Sequence, residues 1–426
     1  TDTADFNLPG LLLLLYRYTD SEGLDASLLQ EITTEVQRFK YWPDELEPVA
    51  ETTDAQNMVT WTENHYILFS SSAYLAGQLY PDHVFPASGS TGREQMEAFR
   101  PRILKWLELR FASGFSEWLS NVYYNEDMPA LLALIELADD EEIVEKSRIV
   151  LDLMFADMAL NHFQGNFGST HGRTYTHKMD GTRDSTRGAM HLAFGLHTQK
   201  LGDMTASLMA LSDGYRVPGV LYEIAHDSTS AMENRQRMGI RLEEADSWGL
   251  SLDRLEDGMS LLTMEPYSHP LFADLFYDML NAYDWWGHRD FAAFNEFRSI
   301  LDDPDSRAAQ IENVVVTLYD VETRDGLYYS NQPRYTHAFL PRGRFDETLK
   351  QEQWFFARQG DAYLALWSSD PAADWVENAD PDAYGGQAYE IIANGQKTIW
   401  SANSAMPPPS ETSPASAKPS RRLPCK

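Results

Sequence analysis

The sequence predicts a mainly α protein. An (α/α) toroid is expected over residues 1–310, an antiparallel β-sandwich-like domain over 311–400, and a disordered tail over 401–426. Three observations carry this. Apolar residues recur at helical spacing through about ten segments joined by short connections. No short self-similar period of the solenoid kind appears. From residue 313 onward, short runs rich in β-branched and aromatic residues replace the helical period. Helix pairs followed by antiparallel strands fit a ring of helices capped by a sandwich.

The elements follow in order. Residues 1–60 read as helix with breaks, and Ser27 to Lys40 carries the stripe Leu28, Leu29, Ile32, Val36 and Phe39. From Trp61 the apolar residues continue at helical spacing through Leu75 and Leu79, and Pro81 stops them. A Gly/Ser turn at 88–92 leads into Arg93–Ser113, striped by Phe99, Ile103, Trp106, Leu107 and Phe111. Pro129–Ala138 and Glu141–His162 follow. Asp139-Asp140 supplies the cap, and Glu141 and Glu142 stand where the helix dipole favours them. Short helices are expected at Gly188–Leu201, Asp203–Ser212 and Pro218–His226, then a less regular stretch to 265, then Pro270–Tyr283 and His288–Leu301. Strands are expected at Asn313–Asp320, Tyr328-Tyr329, Arg334–Phe339, Gln353–Arg358, Ala362–Trp367 and Ala388–Ile392. The Ser/Pro/Ala-rich, basic segment after Trp400 reads as disordered. It meets a strand so abruptly that the β domain is expected to be incomplete.

Composition bounds the partners. Asp and Glu number 65 against 34 Lys and Arg, a net charge of −31. That field disfavours nucleic acid and anionic membranes. The 43% hydrophobic content is that of a folded chain. Leu8 to Tyr16 is too short to span a bilayer, and no basic segment precedes it as in a signal peptide. Cys425 is the single cysteine, so no intrachain disulfide and no cysteine metal site is expected. The compartment stays open: secreted or periplasmic with an upstream signal, cytoplasmic without one. Oligomeric state is equally open. No cofactor is expected, since phosphate-loop, Gly-x-Ser-x-Gly and dinucleotide signatures are missing.

The stretch Asn161 to Tyr175 concentrates chemistry. Helical period ends there, three glycines loosen the backbone, and His162, Asn166, His171, Arg173 and Tyr175 gather. The plain alternative is a polar loop between helices. A second constellation is Glu63-Asn64-His65 at a helix start, where the plain alternative for His65 is a bond to a backbone carbonyl. A third interleaves carboxylates with rings: Glu117-Trp118, Tyr123-Tyr124-Asn125-Glu126-Asp127 and Tyr283-Asp284-Trp285-Trp286. Such rings stack on sugars, and paired carboxylates run glycoside hydrolysis. The alternative is a solvated acidic surface over core aromatics. A metal held by His171, His177 and Asp180, or by His191 and His197, lacks the usual helical ligand spacing, and none is expected.

The Asn64-His65 pair with the His171–Tyr175 loop resembles the helical-toroid polysaccharide lyases, the alginate, heparin and glucuronan lyase kind. The resemblance covers the helical three quarters of the chain and its succession by strands. It implies a lyase that cleaves a uronate-containing polysaccharide by β-elimination. Asn64 and Arg173 would neutralise the uronate carboxylate. His65 would act as base or orienting group, Tyr175 as acid or acid/base, and His171 as a reserve base. Glu63 would orient His65 or Arg173, and Asn166, Trp118 and Tyr124 would contact substrate. The requirement is physical: a proton next to a carboxylate leaves only if that charge is neutralised, with base and acid in hydrogen-bond reach. A glycoside hydrolase using Glu63 or Glu117 on the same scaffold is the first alternative, and a non-catalytic glycan-binding protein the second.

The surplus of carboxylates also fits a saline habitat. The unfolding midpoint is then expected to rise as KCl increases from dilute buffer towards molar concentration, because salt shortens the range of mutual repulsion to about 10 Å or less. Thermal melts across a KCl series check this; a midpoint indifferent to salt counts against it.

Overall fold

A computed structural model describes residues 3–19, 23–46, 58–163, 166–167, 171, 184–196, 203–227, 231–264, 266, 269–319 and the strands after 333. The architecture is mainly helical. The helices are α1 (Leu8–Tyr18), α2 (Ala26–Arg38), α3 (Glu63–Leu79), α4 (Gly92–Ser113), α5 (Tyr124–Leu137), α6 (Glu141–Asn161), α7 (Arg187–Phe194), α8 (Met204–Leu211), α9 (Gly219–His226), α10 (Leu255–Leu262), α11 (Ala273–Ala282), α12 (Ala292–Asn295), α13 (Arg298–Leu301) and α14 (Pro304–Tyr319).

Local signals explain most boundaries. Thr91 and Glu94 close a reciprocal capping box at the start of α4. The Asp140 carboxylate accepts the Glu142 and Ile143 N–H groups and opens α6. Asp203 caps α8 in the same way. The α5 helix begins five residues before the expected Pro129. Ser120 Oγ accepts the N–H groups of Val122 (3.3 Å) and Tyr123 (2.9 Å), so the turn is nucleated early. Pro129 then lies inside the helix, where it cannot donate to the Asn125 carbonyl. Thr205 Oγ1 donates to that carbonyl instead, at 2.6 Å.

The centre of the helical array is α3. It packs against α1, α4 and α5, while α5 also touches α6 and α8. Every residue of α3 from Glu63 to Gly77 is buried. A helix buried all round is normally apolar, yet this one carries Glu63, Asn64, His65 and three consecutive serines. Its polar first turn is therefore held by specific partners rather than by water. The last turn of α3 meets the first turn of α4 through two glycines. A Cβ on Gly92 would press on the carbonyl oxygens of Tyr80 and Gly77, and one on Gly77 would press on that of Gly92.

The expected strand Asn313–Asp320 is a correction. Residues 313–319 belong to α14, which starts at Pro304 beside Asp303, whose carboxylate accepts the Asp305 N–H at 3.2 Å. The helix α14 packs on α11 and α13, and tertiary context of this kind outweighs a local β preference. Strands β1 (His162–Phe163) and β2 (Asn166–Phe167) form a small antiparallel hairpin. Strands β3 (Ala231–Met238), β4 (Arg334–Pro341), β5 (Glu347–Gln351), β6 (Trp354–Gln359), β7 (Ala362–Ser368) and β8 (Thr398–Ala405) pair in one sheet of order β3-β4-β8-β7-β6-β5. The contact between β4 and β8 is parallel and the others are antiparallel. A second sheet facing this one is not among the described residues, so the β-sandwich expected for 311–400 is not supported. One strand, β3, comes from the stretch read as irregular. The expected strands at Tyr328-Tyr329 and Ala388–Ile392 lie outside the described residues, as do residues 406–426. No described helix is long and apolar enough to cross a membrane.

Gly92→Ala and Gly77→Ala are each expected to lower stability by about 1–3 kcal/mol, the usual cost of overpacking. Urea denaturation of each variant against the parent checks this.

Candidate functional site

Residues 115–123, between α4 and α5, are buried along their whole length. Connecting segments normally run over the surface, because a buried one must satisfy its backbone internally. Here the partners come from distant parts of the chain. Glu63 accepts the N–H groups of Ser116 at 2.8 Å and Glu117 at 2.7 Å. The same carboxylate pairs with Arg110, one of the least exposed arginines. Trp106 Nε1 donates to the Glu63 carbonyl at 3.0 Å. From the other side, His171 Nδ1 bonds the carbonyl of Leu119. Asn121 Nδ2 donates to Asp184 at 2.6 Å, and the Ser185 N–H donates to the Asn121 carbonyl at 2.8 Å. Asp184 also accepts the Phe167 N–H at 3.0 Å, which ties in the β1–β2 hairpin.

Leu119 adopts φ 48°, a left-handed conformation unusual for a residue with a branched apolar side chain. Such a conformer costs about 1–3 kcal/mol and persists only where surroundings over-determine it. The grips of Glu63 before it and of His171 and Ser120 around it do so. Several polar atoms here have no hydrogen-bond partner among the described residues: Asn64 Nδ2, Arg110 Nε, Ser116 Oγ, Asn125 Oδ1 and Asp127 Oδ1. Buried polar atoms are normally bonded, so these are exceptions among the described residues.

Burial sets the electrostatics. It pulls the Arg110 guanidinium down to about 10, against the opposing pull of Asp127 and Glu117. Arg110 therefore stays charged at neutral pH. Burial, reinforced by Glu117 and opposed by Arg110, pushes the Asp127 carboxyl well above its ordinary 3.8. Tyr124 donates to Asp157 at 2.9 Å, and burial beside that carboxylate holds its hydroxyl far above the usual range.

The expected residues divide clearly. Glu63, Glu117, Tyr124, Asp127 and His171 are brought to this one buried segment. Glu63 is turned to Arg110 rather than to His65 or Arg173. His65 faces away: its Nδ1 lies 2.7 Å from Asp5 Oδ2, and its ring stacks on Phe6 at 5.1 Å. Successive helical residues are about 100° apart, so Glu63 and His65 cannot share a direction. His65 is thus committed to Asp5 and Phe6. Asn64 accepts from Thr62 Oγ1 at 2.8 Å, leaving its amide nitrogen unspent. Trp118 and Tyr124, expected to contact sugar, are 1% and 0% exposed and offer no open face; this is a correction, caused by the burial of the entire segment. Asn166 lies on β2, paired in register with Phe163. Arg173 and Tyr175 lie outside the described residues, as do His177, Asp180 and His197. Among the described residues no three His, Cys, Asp or Glu are grouped to hold a metal.

Sequence reasoning missed Arg110, Asn121, Asp157, Asp184 and Asp5. Arg110 was findable, because it continues the buried stripe Phe99, Ile103, Trp106 at helical spacing. A cation on an apolar face needs a buried partner. Nothing local marks the other four. Comparisons with family models, with curated proteins and with solved structures return no match.

Glu63→Gln is expected to cost about 3–5 kcal/mol, the price of leaving a buried cation unpaired. Glu63→Leu combined with Arg110→Met is not expected to restore stability. It orphans the Ser116 and Glu117 N–H groups, each worth about 1–3 kcal/mol when buried. Urea denaturation of the variants and the parent checks both.

Asp127 gives a pH test. Its folded-state carboxyl titrates above the unfolded one, so its contribution is fully present below 3.8 and is lost as pH rises towards its folded value. Asp127→Asn removes that titration. The variant's stability is expected to fall less steeply than the parent's from the carboxylate range to neutrality, as read from denaturation midpoints over a pH series.

Proposed function

We propose that this chain is a carbohydrate-active enzyme built on a ring of helix pairs, and that it is a polysaccharide lyase cleaving a uronate-containing chain by β-elimination. One observation carries the reading. The first turn of α3 and the loop residue His171, more than a hundred positions apart, grip the same buried stretch from Ser116 to Leu119. The start of the Asn-His helix and His171 are thus anchored to one strained, polar element.

The chemistry follows from the side chains. Asn64 has an unspent amide donor in the first turn of a helix, where the dipole favours an anion. With Arg173 it neutralises the uronate carboxylate, which requires the first turn of α3 to open to substrate, since Asn64 is as buried as Trp118 and Tyr124. His171 or Tyr175 takes the C5 proton. The electron pair left behind forms the C4–C5 double bond as the C4–oxygen bond breaks, and Tyr175 returns a proton to the departing oxygen. His65, held by Asp5, orients the start of α3. Glycoside hydrolysis is the second reading. It is favoured by Glu117 and Asp127, two buried carboxyl groups of which Asp127 is raised by burial and by the neighbouring Glu117.

Polyuronates incubated at several salt concentrations separate the readings. A lyase makes an unsaturated product that absorbs in the ultraviolet; a hydrolase makes only new reducing ends. Tyr175→Phe and Asn64→Ala are each expected to lower kcat/KM by about a hundredfold or more. Reducing ends without ultraviolet absorbance transfer the assignment to the hydrolase, and turnover unaffected by both substitutions removes the lyase roles of Tyr175 and Asn64.

A further inference from the structure

One turn beyond Glu63 along α3, a second set of groups converges. Arg102 of α4 lies with its guanidinium 4.0 Å from the Trp42 ring centroid and 4.5 Å from that of Phe99. It makes no ion pair and no hydrogen bond among the described residues. Other arginines are committed: Arg17 to Glu136, Arg100 to Asp140 and Glu142, Arg110 to Glu63, Arg254 to Asp257 and Arg307 to Asp274. In a chain with 65 carboxylates, an arginine that forms an ion pair with none of the described ones is a local exception to the global field.

The surroundings explain why it stays uncommitted. Glu45 is a candidate counter-ion whose carboxyl feels its charge. That carboxylate is turned to its own backbone and accepts the Tyr41 N–H at 2.7 Å. Burial also pushes it up to about 7, so near neutrality much of it carries no charge. Trp42 packs edge-on against Tyr66 at 5.5 Å, and the Tyr66 hydroxyl lies 3.5 Å from Ser260 Oγ. The charge of Arg102 reaches the Tyr66 and Tyr283 hydroxyls and opposes the rise that burial causes in both. A half-buried guanidinium on an aromatic floor is an arrangement that receives a carboxylate in a bidentate pair. Trp42 and Phe99 are buried beneath the guanidinium, so the half-buried Tyr283 is the ring left to meet the rest of a sugar.

We propose that Arg102, flanked by Trp42 and Tyr283, forms a binding subsite for the carboxylate of an acidic sugar. It lies on the same face of α4 as Trp106 and Arg110, about 12 Å from Arg110 by helical rise. The subsite deepens the uronate reading, on which its choice of ligand rests. It selects charge; it takes no part in bond breaking.

The test is binding and turnover with oligosaccharides of glucuronate, galacturonate and alginate, and with neutral cello-oligosaccharides. Arg102→Gln keeps the size of the side chain and breaks no ion pair, so the variant is expected to fold; its melting temperature is measured alongside. Calorimetry is expected to show that the parent prefers an acidic oligosaccharide, and that Arg102→Gln weakens it about tenfold or more while leaving neutral ligands unchanged. Arg102→Lys is expected to fall between the two, since it keeps charge without the planar fork. Equal affinity of parent and Arg102→Gln for acidic ligands overturns the subsite, as does failure of every acidic oligosaccharide to bind. Arg102-dependent binding without turnover sustains the subsite and removes the lyase reading. Turnover with unchanged KM in Arg102→Gln does the reverse.

Discussion

The Glu63 carboxylate meets three demands at once. It neutralises Arg110, and its two oxygens take the N–H groups of consecutive residues, Ser116 and Glu117. Each demand alone would be costly to bury. Together they close, because a buried charge is tolerable when its lone pairs are fully used. The segment between α4 and α5 can then pass through the interior instead of over the surface. The start of α3, the C-terminal half of α4 and the start of α5 are fixed relative to one another by this single group. The strained Leu119 conformer follows, since the chain is pinned just before it by Glu63 and just after it by Ser120 and His171.

Two arginines on one face of α4 show how context divides identical side chains. Arg110 is committed to Glu63 and lies near the rings of Trp106 and Phe115. Arg102, two turns earlier, rests on comparable rings but keeps its donors. The difference is geometric. Glu63 stands in a first turn aimed at Arg110, whereas the Glu45 carboxylate is captured by its own backbone. A strongly acidic protein thus keeps cationic hydrogen-bond donors beside aromatic rings without breaking an ion pair. Global charge would repel an acidic ligand at long range; a local guanidinium acts at contact, where screening matters least.

The helices were legible because their signals are local. The α3 and α4 boundaries follow from Pro81, the Gly/Ser turn and the apolar stripes, and the α6 start from Asp140. Two departures share one cause. The early start of α5 needs Thr205, eighty positions away, to satisfy a carbonyl that Pro129 leaves unbonded. The helix α14, which takes in the valine run, has α11 and α13 against it. Neither partner is visible from inside the segment it stabilises.

Periodicity, caps and breakers therefore determined a mainly helical chain, the limits of its longest helices, and which stretches held unusual polar residues. Tertiary structure alone decided what those residues face. Adjacent residues on a helix diverge by about 100°, so the tripeptide Glu63-Asn64-His65 was divided among Arg110, Thr62 and Asp5. Direction comes from packing, and packing depends on partners that local sequence does not name.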